Sequence, residues 1–352
     1  MIRRLLTCRS PGFDPYQNLA LEEALLQRVG EGELILYLWQ NERTVVIGRN
    51  QNPWKECRTA LLEQEGGHLA RRLSGGGAVF HDLGNLNFTF LMNEADYDLP
   101  RQLTVLERAC QSLGIPAQRS GRNDLLADGR KFSGNAFYQH KGKAYHHGTL
   151  MVDVDMEMVQ RYLSPSKAKL AAKGVDSVRS RVVNLKEFVP DLTIPRLADA
   201  LTAALAEVYA VAPAISRPDE AAAFQPCHSE RSEESVIQPL VQTIAPDEFD
   251  LTQLTDKYRS DTWLYGPKLP FTLSAEERFS WGGVELQFQI ESGVIQRSKV
   301  YTDALDETFS SSLEPVLTGC DFRLDPLTAA LQQAKLTTQQ TNDLLSLLQT
   351  VL

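Results

Sequence analysis

RRLSGGGAVFHD, Arg71 to Asp82, is the stretch from which the whole chain is best read. Three glycines, Gly75, Gly76 and Gly77, follow Arg71, Arg72 and Ser74 and precede the strand-like run Ala78, Val79, Phe80. A backbone without side chains can approach a ligand closely and turn its N–H groups toward an anion. The adjacent arginines would add charge-assisted hydrogen bonds. The plain alternative is a tight hairpin turn, and glycine content alone favours it. Two other phosphate-binding patterns are excluded. The chain has no G-x-x-x-x-G-K-[ST], and the glycine spacing is not G-x-G-x-x-G. His81 and Asp82 look like a metal pair, but a hydrogen-bond network within the loop is the better account of them.

Three further segments carry chemistry-bearing residues. In SGRNDLLADGRKFSGNA, Ser120 to Ala136, Lys131 can neutralise charge that develops between a carboxylate and a phosphate. Asn123 and Asp124 offer the oxygen ligands that magnesium takes beside phosphate and water. A polar turn with a surface lysine is the alternative. In HHGTLMVDVD, the neighbours His146 and His147 point to opposite faces of a strand. They therefore do not share a metal, but one of them can line a pocket beside Gly148. The basic run Leu163 to Leu185 includes Lys173, Ser177 and Arg179, which can close over a nucleotide or form a solvated helix.

The composition narrows the classes. With 352 residues and 43% hydrophobic content the chain can bury the cores of two domains. A net charge of −9 excludes a global basic field for nucleic acid, yet bases gather between Arg71 and Arg181. Five cysteines, none in a CxxC pair, predict neither a disulfide framework nor a zinc ribbon. No apolar run approaches the ~20 residues needed to span a bilayer, so the expected location is cytoplasmic and no membrane partner is expected.

Periodicity supplies the coarse organisation. Asp14 and Pro15 open a helix, with Gln17 completing a capping-box pattern. Strands are expected at Glu33–Trp39, Thr44–Arg49 and Gly148–Asp155. Helices are expected over Arg101–Leu113, over Ser164–Gly174, and from Pro195. The tract PCHSERSEES, residues 226–235, reads as an exposed insertion. A hairpin of GGVELQFQI and VIQRSKVYTD, followed by two helical segments, forms a second unit. The expected domains are 1–265, with the insertion near 226–236, and 271–352.

Taken in order, RRLSGGGAVFHDLGNLNFTF, SGRNDLL, GRKFSGNA, HHGTL and KLAAKGVDSVRSRVVNL closely resemble the lipoate–protein ligase A family. LWQNERTVVIGRNQNPWKEC upstream and ERFSWGGVELQF downstream extend the likeness over nearly the whole chain. The resemblance implies an α/β catalytic domain of the biotin/lipoate-ligase type, with mixed, mainly antiparallel sheets flanked by helices, and a small α/β accessory domain. It implies a monomer that joins ATP and lipoate into lipoyl-AMP, with magnesium accompanying the ATP. The lipoyl group would then pass to a lysine on 2-oxoacid dehydrogenase or glycine-cleavage H-protein acceptors.

By motif position, Arg72, Gly77, Ala78, Val79, Phe80, Asn123, Asp124, Lys173 and Arg179 would contact ATP or the adenylate. Arg71, Ser74, Gly75, Gly76, Asn85, His147 and Gly148 would surround lipoate. Lys131 would touch both and be catalytic, and Asp124 would be the protein's metal ligand. Octanoyltransferases of the same fold use a cysteine, and none lies between Cys110 and Cys227. A non-catalytic lipoate-binding regulator is the remaining alternative. PCHSERSEES departs from the family pattern and puts the linker geometry in question.

Overall fold

The computed structural model describes residues 1–120, 124–164, 182–209, 241–266 and 271–352. Its centre is the strand ELILYLW, Glu33–Trp39 (β2). A strand that is apolar at nearly every position must be covered on both faces. Leu34, Leu36 and Leu38 enter one core, while Ile35, Tyr37 and Trp39 enter another. β1 (Arg4–Arg9) lies parallel to β2 on one side. On the other side β6 (Asn85–Asn93) runs antiparallel, followed by β11 (Lys143–Met151) and β10 (Asn135–His140). β12 (Gln242–Thr243) pairs with the free side of β1 and completes six strands.

Helices cover both faces of this sheet. Leu103 and Leu106 of helix Leu99–Ser112 and Leu197 and Leu201 of helix Ile194–Val208 fill the first core. Leu19, Leu21 and Leu25 of helix Pro15–Arg28 fill the second. Asp14 starts that helix by accepting from the amides of Tyr16 and Gln17. The cap is one-sided, in place of the reciprocal capping box expected.

Two small sheets attach to the large one. β3 (Thr44–Ile47) pairs in parallel with β4 (His68–Arg71) and antiparallel with β5 (Val79–His81). β7 (Ala117–Ser120), β8 (Asp124–Ala127) and β9 (Arg130–Ser133) form an antiparallel ladder. Residues 273–349 build a core of their own. β13 (Leu273–Phe279), β14 (Gly282–Glu291) and β15 (Val294–Thr302) carry Val284, Leu286, Phe288 and Val300 against Leu313, Leu344 and Leu347.

The structure revises several sequence expectations. The strand expected at Gly148–Asp155 spans Lys143–Met151, because a turn at Lys141–Gly142, both at positive φ, pairs β11 with β10. β3 stops at Ile47, where Gly48 packs under Gly76. Helix Leu99–Ser112 begins two residues early, capped by Asp98. The second unit ends in three helices, not two: Phe309–Leu317, Leu324–Gln333 and Thr338–Gln349. Pro315 inside the first of them masked its periodicity. The helix expected at Ser164–Gly174 and the 226–236 insertion lie outside the described residues. Among the described residues, no helix is long and apolar enough to cross a membrane.

Candidate active site

A cavity of about 260 Å³ lies between the large sheet and the β4-β3-β5 sheet. Cross-strand register explains its floor. Thr149, Asn87 and Trp39 stand opposite one another on β11, β6 and β2, and His147, Thr89 and Tyr37 form the next row. Val46, Val79, His81 and Arg72 come from the small sheet and its loop, and Leu19 comes from the helix below. Gly76, Gly77 and Ala78 form the rim, with Lys131, Gly134, Asn135, Ala136 and Gly148 beside them. Leu305, from the C-terminal unit, closes one side.

Arg72 shapes the glycine loop from inside. Its Nη2 donates to the Gly75 and Gly77 carbonyls at 2.7 and 2.8 Å. Its Nη1 donates to Val46 O at 3.2 Å and its Nε to Ser74 Oγ at 3.0 Å. Four of the five guanidinium N–H groups are thus used on the loop and its bed. Burial lowers the Arg72 pKa to about 10, which still leaves it cationic at neutral pH. The chain between Ser74 and Gly77 is therefore no ordinary hairpin turn. A buried cation organises it, with Gly76 at φ +86°.

His147 is gripped at both nitrogens. Its Nε2 meets Ser74 Oγ at 2.7 Å and its Nδ1 meets Glu22 Oε1 at 2.9 Å. Glu22 also accepts from Thr89 Oγ1, which accepts from Trp39 Nε1. His147 therefore presents its ring to the cavity, while both nitrogens hold the wall together. His146 points to the opposite face, between Gln102 and Asn135, as strand alternation requires.

Lys131 sits on β9 rather than in a turn; the turn itself is at Asp128–Gly129. Its Nζ pairs with Asp124 Oδ1 at 2.7 Å, and it reaches to within 4.0 Å of where a Gly134 side chain would begin. Lys131 stands opposite Leu126 of β8, and Asp124, two residues earlier on that strand, reaches it diagonally.

The structure gathers Arg72, Gly76, Gly77, Ala78, Val79, Lys131, His147 and Gly148 around one cavity. Other predicted residues stand elsewhere. Arg71 does not line it, and its guanidinium donates to the carbonyls of Gly48, Arg49, Gln51 and Leu264. Phe80 faces away and packs on Tyr162, as an alternating strand dictates. Ser74 is fully buried behind His147. Gly75 faces the Ala304–Leu305 backbone, and Asn85 donates to Asn87. Asn123, Lys173 and Arg179 lie outside the described residues. Leu19, Glu22, Trp39, Asn87, Thr149 and Leu305 were not singled out from the sequence. They belong to distant segments that only sheet register and domain packing bring together.

Two expectations about stability follow. Arg71→Leu removes the donor for four backbone carbonyls that sit inside protein. It should cost about 3 kcal/mol, read as a lowered urea midpoint; an unchanged midpoint would refute the role given to Arg71. The second concerns acid. Burial depresses the pKa of both His81 and His146 to about 3. The unfolded chain binds those protons near pH 6.5, so it holds more protons than the folded state below that pH. Stability is full above pH 6.5 and falls as pH drops toward 3, at about 1.4 kcal/mol per pH unit per histidine. Urea midpoints at pH 7.5 and 5.5 check this, and a midpoint that rises on acidification would contradict it.

The chain matches the lipoyl protein ligase A/B catalytic domain family over residues 14–206 and the bacterial lipoate protein ligase C-terminus over 268–348. The Plasmodium falciparum LipL1 structure in complex with lipoate is 25% identical, with a TM-score of 0.78 over 97% of this chain and 98% of that one. A lipoate-protein ligase A bound with ATP is 27% identical, with a TM-score of 0.58 over 76% of this chain and 99% of that one. The Thermoplasma acidophilum bipartite lipoate protein ligase, described with its E2 lipoyl domain, is 27% identical. Its TM-score is 0.60, over 78% of this chain and 100% of that one. The fold is thus the mixed α/β fold of lipoate ligases with a C-terminal domain attached.

Proposed function

The chain belongs to the lipoyl protein ligase A/B catalytic domain family, and from that premise we propose that it is an ATP-dependent lipoate–protein ligase working through lipoyl-AMP. The observation that carries the reading is the position of Lys131. It stands on the same cavity as the Arg72-organised glycine loop and an otherwise largely apolar interior.

The chemistry has two steps. A lipoate carboxylate oxygen attacks the α-phosphorus of ATP, the bond to the β-phosphate bridge breaks, and pyrophosphate leaves. The ε-amine of an acceptor lysine then attacks the acyl carbon, AMP leaves with the bonding pair, and the amine loses a proton as the amide forms. Lys131 carries positive charge to the point where phosphate and carboxylate meet, which offsets negative charge in the transition state. Asp124 holds that ammonium in place. Gly76 and Gly77 line the end of the cavity that would take the phosphate side, and the apolar wall would take the acyl tail.

Magnesium would accompany the ATP. Asp124 fits it as a single carboxylate ligand, since protein-bound magnesium commonly takes one or two carboxylates beside phosphate and water. The described residues contain no group of three or more acidic, histidine or cysteine side chains that would hold a metal unaided. When bound, the ion supplies charge neutralisation on the phosphates.

Acceptor domains of 2-oxoacid dehydrogenases and the glycine-cleavage H protein are the proposed partners, and the cytoplasm the proposed location. A cysteine-dependent acyltransferase is the second reading, and the cysteines speak against it. Cys8, Cys57 and Cys110 are buried, with thiols pushed up to about 12 by burial, and none lines the cavity. Incubation with ATP, lipoate and a purified lipoyl domain should add one lipoyl group to one lysine by mass spectrometry. An unmodified acceptor in the presence of folded protein would overturn the proposal.

A further inference from the structure

The inner wall of the cavity holds two polar atoms without partners, His81 Nε2 and Asn87 Nδ2. Both side chains are almost fully buried, beside the apolar surfaces of Leu19, Trp39, Val46 and Val79. A buried donor left dry costs roughly 1–3 kcal/mol, so two on one cavity wall call for an acceptor that arrives with the ligand.

The network behind His81 decides which kind of atom it offers. Asn18 Nδ2 faces two carbonyls, Gln40 O at 2.7 Å and Gly12 O at 3.3 Å, so it is the amide nitrogen. The Asn41 atom it meets at 3.0 Å must then be the oxygen. The Asn41 nitrogen consequently donates to His81 Nδ1 at 3.2 Å. With Nδ1 accepting and the ring neutral, the His81 proton is on Nε2, which is therefore a donor. Burial, together with the nearby Arg72 and His147, keeps that ring uncharged. Asn87 Oδ1 accepts from Asn85 Nδ2, which leaves the Asn87 N–H groups as donors too.

Distance places His81 at the tail end of a bound acid. Thr149, next to Lys131 through Gly134, is cross-strand to Asn87, and Asn87 is cross-strand to Trp39. His81 meets the Trp39 ring edge-on, with centroids 6.0 Å apart. Two strand spacings, about 10 Å, thus separate the reacting end from Trp39 and His81. A short acyl tail covers that span.

Building on the lipoate reading above, we propose that His81, aided by Asn87, reads the ring sulfurs of the lipoyl tail by donating N–H to them. Sulfur is a weak acceptor, but it is the only acceptor a lipoyl tail carries. A straight-chain acid, or a ring of carbon alone, would cover both donors and satisfy neither.

The test compares lipoate with cyclopentylpentanoate, the same tail with carbon in place of sulfur, in acid-dependent ATP–pyrophosphate exchange. The native protein should favour lipoate in kcat/KM by roughly tenfold or more. His81→Phe and Asn87→Leu, assayed separately, should bring that ratio toward one. Equal use of both acids by the native protein would overturn the proposal while leaving the ligase reading intact. Variants that lose both acids in parallel, at an unchanged ratio, would also overturn it. Exchange with neither acid would remove the ligase reading and this one with it.

Discussion

Lys131→Ala should lower lipoate-dependent adenylate formation by roughly 10³-fold or more while leaving the protein folded. Removing one preorganised positive or hydrogen-bonding group from a developing oxyanion typically costs ~10²–10³-fold. Lys131 is a full charge placed where two anions must meet, so the upper end applies. Stability should hardly change. Lys131 is 39% exposed and Asp124 is 44% exposed, and ion pairs of that kind contribute little. Pyrophosphate exchange measures the first half and thermal melting the second. Lys131→Arg separates charge from position, because it keeps the cation on a bulkier, planar head. Native-level exchange by Lys131→Ala would remove the lysine from the chemistry altogether.

The second large effect is expected far from any polar side chain. A Cβ on Gly48 would overlap the Gly76 carbonyl oxygen and press on the backbone carbons of Gly75 and Gly76. Nothing there is the loose end of a side chain, so the backbone must move. The loop cannot move freely, because Arg72 holds the carbonyls of Gly75 and Gly77. Gly76 N–H is also held, by Ala304 O at 3.0 Å. Gly48→Ala should therefore displace the loop, cost about 1–3 kcal/mol, and reduce exchange by roughly 10²-fold or more, as misplacements near 1 Å do. Gly12→Ala is the control, since nothing lies within 4 Å of its added carbon and its φ is ordinary. Native exchange in Gly48→Ala would mean that the shape of the glycine loop is not what the reaction needs.

These two cases show what the sequence could and could not yield. Gly75 to Gly77 were legible as a loop with a choice of meanings. Turn and anion cradle look alike until Arg72 is seen to bind the loop's own carbonyls. Arg71 and Arg72 look equivalent in sequence, yet strand alternation turns one toward the cavity and the other into the junction with Leu264. The same alternation, applied to His146 and His147, gave the right answer in advance. Glu22 could not be found this way. It is one charge on a helix face, and its contact with His147 spans more than a hundred residues. Leu305 was hidden for a related reason, because it follows β15 in the unit that builds a separate core. Periodicity reports which face is buried, not what it is buried against.

On the proposed function, this cavity joins lipoate to the nucleotide. Pyrophosphate exchange into ATP, measured with lipoate, octanoate and biotin side by side, tests it most directly. Exchange should depend on lipoate, be slower with octanoate and be absent with biotin. Folded protein that shows no exchange with lipoate would contradict it.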